Sequence, residues 1–331
     1  MNMRAQPWVG RHCIVLCLLA LLAAAARAQA NATTDHVADA TVQRTGTSDD
    51  QSTFRVNVRL VNVFTTVTDS HGAAIYDLTK DDFRVFEDGV PQTISVFERQ
   101  SELPLSVVLG IDTSESTRKD LKLEMASAKK FIRSIVRPLD RLSVFQISEN
   151  TDQLTGFSSD VKSLERGIDN LHAGAGTSLY DAIFLGAEAL LTKKGRKVIV
   201  LITDGGDTTS QTDYANALRR AQEAEAIIYS IIIVPVTADA GRNLGGEHAL
   251  IQLSRDTGGK YYYAESISQL DQAFQQVSDE LRTQYLIAYY PSRRFSDSSF
   301  RHIQIELASH APPAAAWLVR HRAGYFTAPV H

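Results

Sequence analysis

Between residues 105 and 284 the chain alternates two kinds of segment. Short apolar runs, among them "LSVVLGID", "DRLSVFQIS", "RKVIVLITDGGD", "IIYSIIIVPV" and "KYYYAE", read as strands covered on both faces. Between them lie stretches whose apolar residues recur every three or four positions. "KLEMASAKKFIRSIV" is one, with Leu123, Ala126, Phe131 and Ile135 as its apolar face; "VKSLERGIDNL", "SLYDAIFLGAEALLTKK", "YANALRRAQEAEA", "EHALIQLSRDTGG" and "ISQLDQAFQQVSDELRTQY" are the others. These read as helices, the penultimate one closed by Gly258. Strands interleaved with helices predict an α/β fold, a doubly wound, mostly parallel sheet.

On both sides of this region the period drops to two. "FRVNVRLVNVFTTVTD" alternates through Phe54, Val56, Val58 and Leu60 and shifts register near Val61. Thr79, with Asp82 three residues on, is placed to cap one helical turn. "FRVFEDGVPQTISVFE" reads as a hairpin around Asp88–Gly89, with the composition of a type I′ turn. After Gln284, "YLIAYYPS", "FRHIQIELA" and "AWLVRHRAGYF" read as three more strands. Neither flank has enough strands to be stable alone. The expectation is a second, smaller β-sandwich-like domain built jointly from the N- and C-terminal flanks; two unrelated modules are the alternative.

The first 30 residues stand apart. Arg4 and Arg11 precede the apolar run "CIVLCLLALLAAAA" and the small residues "ARAQA", the layout of a cleavable export signal. An uncleaved membrane tether is the alternative, although 14 apolar residues are few for a span. Cys13 and Cys17 both lie in this segment, so beyond it there is no disulfide, thiolate metal site or cysteine nucleophile. Without its three arginines the remainder carries 31 basic against 38 acidic residues and no basic stripe, which argues against nucleic acid as a partner. The expected organisation is 1–30 signal peptide, 31–52 flexible leader, 53–102 first β part, 103–284 α/β domain and 285–328 second β part.

In an open parallel sheet, ligands meet at the carboxyl ends of the strands. Three such ends are rich in oxygen: Asp112, Ser114 and Ser116 after "SVVLGI", Thr177 in "HAGAGTSLYDA", and Asp204 at the end of "VIVLITDGG". Hydroxyls and carboxylates suit hard cations. The competing readings are helix capping by the serines and Thr177 and turn formation by Asp204, the role assigned to Asp207. Phosphoryl transfer is a poor fit, because Ser114 stands where a second carboxylate would be needed. No G-x-S-x-G, phosphate loop or H-E-x-x-H occurs, and the chain is read as no enzyme. His172 and His248 read as solvated loop residues, and the loop at 237–248 as part of the same rim.

The ordered triple, D-x-S-x-S at a strand end, then G-T-x-L-Y-D-A, then T-D-G, resembles the von Willebrand factor type A (VWA) domain with its metal-ion-dependent adhesion site over about residues 103–285. The resemblance implies a Rossmann-like domain in which Ser114 and Ser116 ligate a divalent cation, Mg2+ with Mn2+ or Ca2+ as alternatives. Thr177 would ligate directly or through water, and Asp112 and Asp204 would act through waters and hydrogen bonds. Neutral hydroxyl ligands would leave the ion able to take an Asp or Glu carboxylate from a protein partner. The flanks, with "DLTKDDFRVFEDGVPQTISVFER" and "RHRAGYF", are similar to exported VWA-related proteins of acidobacteria. The expected function is an exported adhesion or assembly module of the periplasm or cell exterior, with no transmembrane segment once the signal is removed. A structural scaffold protein of the envelope and, at more distance, a Mg2+-dependent hydrolase are the alternatives.

Overall fold

The computed structural model describes residues 60–99, 103–115, 121–234, 243–293, 299–308 and 317–327. The expected export signal (1–30), the expected leader (31–52), Phe54, Val56, Val58, Ser116 and residues 237–242 of the expected rim loop lie outside them.

β5 (Leu105–Asp112) is buried along its whole length, as its unbroken apolar run requires. It lies inside a six-stranded sheet in the order β10-β9-β8-β5-β6-β7. β6 (Arg141–Ile147), β8 (Arg196–Thr203), β9 (Ala226–Ile233) and β10 (Tyr261–Ala264) run parallel to it, and only β7 (Thr151–Gln153) is antiparallel. Alternate residues of β5 face opposite cores. Leu105, Val107, Leu109 and Ile111 pack with α1 (Leu121–Ile135), α2 (Val161–Asp169) and α6 (Ile267–Thr283), whereas Val108 packs with α3 (Leu179–Leu190), α4 (Tyr214–Glu223) and α5 (Leu244–Thr257). Each fully buried aliphatic side chain contributes on the order of 1.5–3 kcal/mol. The chain leaves β5 for β6 on one side and returns to β8 on the other, so the strand order reverses between β5 and β8. The crevice of such a sheet opens there.

Some local expectations are corrected. The apolar face of α1 is Leu121, Ala128, Phe131, Ile132 and Ile135; Leu123 and Ala126 are exposed. α5 begins at Leu244, so the last residues of the presumed rim loop are helical.

The flanks pair with each other. β1 (Val61–Thr68) runs antiparallel to β11 (Tyr285–Tyr289) and to β13 (Leu318–Arg320), and β12 (Phe300–Leu307) pairs with β2 (Phe83–Glu87). The two resulting sheets, β13-β1-β11-β4 and β14-β12-β2-β3, enclose a common core that includes Val63, Val85, Ile287 and Ile305. The hairpin is shorter than expected. Asp88 and Gly89 both have positive φ, as a type I′ turn needs, and they join β2 to β3 (Val90–Gln92). β4 (Ile94–Glu98) then crosses to the other sheet and pairs with β11. Likewise "AWLVRHRAGYF" is two strands, β13 and β14 (Gly324–Phe326), one in each sheet.

His321 occupies this second crossing. Its Nε2 accepts the Ile305 N–H at 3.1 Å, and its Nδ1 donates to the Arg322 carbonyl at 2.8 Å. The bond accepted at Nε2 requires the neutral ring, and burial holds its pKa below the usual histidine value. Within the sandwich, Glu87 is buried with Arg301 at 2.7 Å and with the hydroxyls of Tyr289 and Tyr325, each at 2.8 Å.

A second buried polar cluster joins the two parts. Glu280 of α6 accepts the Tyr229 hydroxyl of β9 at 2.7 Å and Arg320 of β13 at 2.6 Å. Gln284 donates to Thr66 of β1 and to the Tyr229 hydroxyl, both at 3.2 Å. Arg196, at the start of β8, donates to the Leu281 carbonyl and to Gln284, and its guanidinium lies 4.8 Å from the Phe64 ring centre. Burial pushes Arg196 down to about 10, which leaves it charged at neutral pH.

Removing one member of a buried charged cluster leaves the rest without compensation, at about 3–5 kcal/mol. Glu280→Ala is expected to lose stability of that order by chemical denaturation, and Glu280→Gln less. His321 is expected to titrate below its unfolded value near 6.5 when followed by NMR. Protonation then favours the unfolded chain, so this contribution is complete above about pH 6.5 and is lost as pH falls through the folded pKa. His321→Phe removes that part of the pH dependence.

Candidate functional site

The carboxyl ends of β5 and β8 flank the point of reversal, and each ends in a carboxylate: Asp112 closes β5 and Asp204 follows β8. Asp112 is fully buried. Its Oδ1 accepts the Ser114 N–H at 2.9 Å and its Oδ2 accepts the Thr203 hydroxyl at 2.6 Å. Burial pushes the Asp112 pKa up to about 6. The hydrogen bonds from Thr203 and Ser114 pull it down, and the charge of Asp204 raises it further. Thr203 also accepts the Gly205 N–H at 3.1 Å, which ties the Asp204 turn to the same carboxylate.

Gly205 shapes that turn. It has φ +92°, and an added Cβ would lie 3.0 Å from the Glu247 amide of α5. The helix and the turn therefore pack backbone to backbone, with Glu247 buried behind them and bonded to the Tyr263 hydroxyl at 3.2 Å.

The third loop is stitched to both neighbours. The Thr113 carbonyl accepts the Gly174 N–H at 2.8 Å, Glu149 accepts the Ala175 N–H at 2.9 Å, and Gln146 donates to the His172 carbonyl at 3.1 Å. Thr177 meets the Asp204 loop. Its N–H donates to the Thr208 hydroxyl at 2.9 Å and its carbonyl accepts the Thr208 N–H at 2.9 Å. Thr177 is buried, and among the described residues no hydrogen bond engages its hydroxyl.

Two local roles differ from those expected. The residue before α3 is Ser178, not Thr177, and its hydroxyl turns to Thr151 at 2.9 Å. The cap comes from another loop: Asp207 accepts the N–H groups of Leu179 and Tyr180 at 2.9 and 3.3 Å. Asp207 is thus a helix cap rather than a turn former. Thr203 and Glu149, which hold Asp112 and the Thr177 loop, escaped the sequence reading. The signal for Thr203 was its position as the last strand residue before Asp204. Glu149 had none, since its contact is set by the fold. His172 and His248 are exposed, as expected of loop residues.

Asp112 and Ser114 are hydrogen-bonded to each other, and Asp204 and Thr177 are tied to them through Thr203 and Thr208. Every available donor is oxygen, a set that suits a hard cation. Among the described residues no cluster of three or more His, Cys, Asp or Glu could hold a metal, so any ion here would depend on the hydroxyls.

The sequence profile of the von Willebrand factor type A domain matches residues 106–276, a little over half of the chain. The chain belongs to the VWA family. A comparison with curated proteins returns no match. Among solved structures, the chain is similar to the conserved hypothetical protein BatB from Bacteroides thetaiotaomicron, with 16% identity over 54% of this chain and 100% of that one at a TM-score of 0.44. It is similar to the PilB minor pilin from Streptococcus sanguinis, with 15% identity, 55% of this chain, 62% of that one and a TM-score of 0.45. A von Willebrand factor type A protein from Catenulispora acidiphila aligns over 84% of this VWA chain and 75% of its own, with 11% identity and a TM-score of 0.47.

Replacing Asp207 by Ala removes the acceptor at the start of α3. A loss of about 1 kcal/mol is expected by chemical denaturation, up to about 2 because two N–H groups are orphaned, with Asp207→Asn recovering most of it.

Proposed function

We propose that this VWA protein is a metal-dependent protein-binding module whose site is a metal-ion-dependent adhesion site. The observation that carries the reading is the pairing at the point of reversal. Asp112, fully buried, accepts the Ser114 amide and the Thr203 hydroxyl, and Asp204 follows directly on Thr203. A divalent cation beside them would favour the ionised carboxylate. Ser114, Ser116 and Thr177 are the residues to hold it, with Asp112 and Asp204 orienting its waters; Mg2+ is the first candidate and Mn2+ or Ca2+ are alternatives. When bound, the ion supplies a positive centre with room for an Asp or Glu carboxylate from a protein partner.

Asp112 holds Ser114 through the Ser114 amide. Thr203 keeps the Asp112 carboxylate turned inward. The backbone bonds of Thr177 to Thr208 leave its side chain to the site. The signal-like segment 1–30 supports export to the periplasm or cell exterior, and the flanking sequence supports kinship with the exported acidobacterial VWA-related proteins. No helix among the described residues is long and apolar enough to cross a membrane.

Calorimetric titration with Mg2+ tests the reading. Wild type is expected to bind one ion, and Asp112→Ala, Thr177→Ala and Asp204→Ala to weaken it at least tenfold. Since binding requires ionised Asp112, affinity should fall about tenfold per unit as pH drops below about 6 and level off above it. Chelation should leave the circular dichroism spectrum folded. Unfolding on chelation would mark a structural ion instead, and the absence of binding in the wild type would defeat the proposal.

A further inference from the structure

The described loops at the carboxyl ends of the sheet share one sign of charge. Residues 112–115, 147–153, 172–178, 203–213 and 243–248 hold eight Asp or Glu and no Lys or Arg. The stretches 116–120 and 235–242 lie outside the described residues; in sequence they add Arg118, Lys119 and Arg242 against Asp120 and Asp239. At the opposite end of the sheet both signs occur: Arg141, Arg196 and Lys260 stand at the starts of β6, β8 and β10, with Asp140 and Glu225 beside the starts of β6 and β9.

Some of the acids at the site end have partners. Asp207 caps α3, and Glu247 is buried with Tyr263. Glu115, Glu149 and Asp152 are exposed; Glu149 accepts the Ala175 N–H, and among the described residues no ion pair engages these three or Asp204. A second observation marks this face as a place for a ligand rather than a solvated acidic patch. Thr177 is 4% exposed, and its hydroxyl has no hydrogen bond among the described residues although both its backbone groups are bonded.

We propose that this face selects partner segments in which the captured carboxylate is flanked by lysine or arginine. The inference rests on the carboxylate-capturing function proposed above and specifies its partner. Asp112 and Asp204 together balance a divalent ion, so Glu115, Glu149 and Asp152 remain as a negative ring facing anything that approaches. An isolated carboxylate, or one set among other acids, is repelled by that ring. A carboxylate flanked by cations is drawn in, and its lysines meet the ring while the carboxylate meets the ion. Such attraction acts over about 8 Å at physiological salt and weakens as salt rises. It affects association more than dissociation and excludes wrong partners by like-charge contact.

Four fluorescent peptides test this by polarisation, each acetylated and amidated, in Mg2+ or in EDTA. They carry Lys-Lys-Glu-Lys-Lys, Ser-Ser-Glu-Ser-Ser, five glutamates, or Lys-Lys-Gln-Lys-Lys between glycines. In Mg2+ at about 50 mM salt the lysine-flanked glutamate is expected to bind about tenfold more tightly than the serine-flanked one, with the pentaglutamate weakest. At about 300 mM salt the gap should narrow to about twofold. The glutamine peptide should retain weak, salt-sensitive binding in EDTA. The double variant Glu115→Gln/Asp152→Asn should narrow the gap between lysine- and serine-flanked peptides at saturating Mg2+. Equal binding of those two peptides, with the Mg2+ requirement kept, overturns the selectivity and leaves the carboxylate-capture reading standing. No Mg2+-dependent preference for glutamate over glutamine in any peptide overturns both.

Discussion

The Glu280 carboxylate gathers α6, β9 and β13 around one buried charge, and Gln284 adds β1 to the group. An ion in such a place is tolerated only when every oxygen is met. Arg320 and Tyr229 meet it here, and Arg196 completes the cluster from the start of β8. The requirement fixes geometry. The sandwich cannot rotate on the VWA domain without breaking several short bonds together, so the two parts share one base, and the candidate site lies at the far end of the strands that rise from it.

That separation suits a binding face. The base is closed by paired charges and by Gly258, whose left-handed turn lets the segment of His321 and Arg322 pass in backbone contact. The strand ends are held by hydrogen bonds between loops. Thr203 and Thr208 tie Asp204 to Asp112 and Thr177 through hydroxyls that a short loop can place within a few tenths of an ångström.

The alternation of unbroken apolar runs with 3.6-period segments was enough to read the parallel sheet and its helices, because burial on both faces leaves no other pattern. The positions of Asp112 and Asp204 at strand ends were legible for the same reason, since an unbroken apolar run shows where its strand stops. Illegible features depended on contacts between distant segments. Leu123 is apolar and exposed because the neighbours of α1, not its own spacing, choose the buried face. β4 leaves its hairpin because β11 offers an edge that no local signal announces. Asp207 caps a helix 28 residues away in sequence, and "DGGD" reads as a turn until that helix is in place.

The pairing of β1 with β11 sets Val61 against Tyr289, more than two hundred residues along the chain. Closing so long a loop is entropically costly unless the intervening chain is already compact. The VWA domain supplies that compaction, since its ends emerge together at the base. Loop-closure entropy therefore favours an order in which the inserted domain condenses first and the sandwich closes last. Until β11 to β14 have been synthesised, β1 and β4 lack their partners and β2 has only β3. The nascent chain thus carries a half-paired β-portion for most of its synthesis.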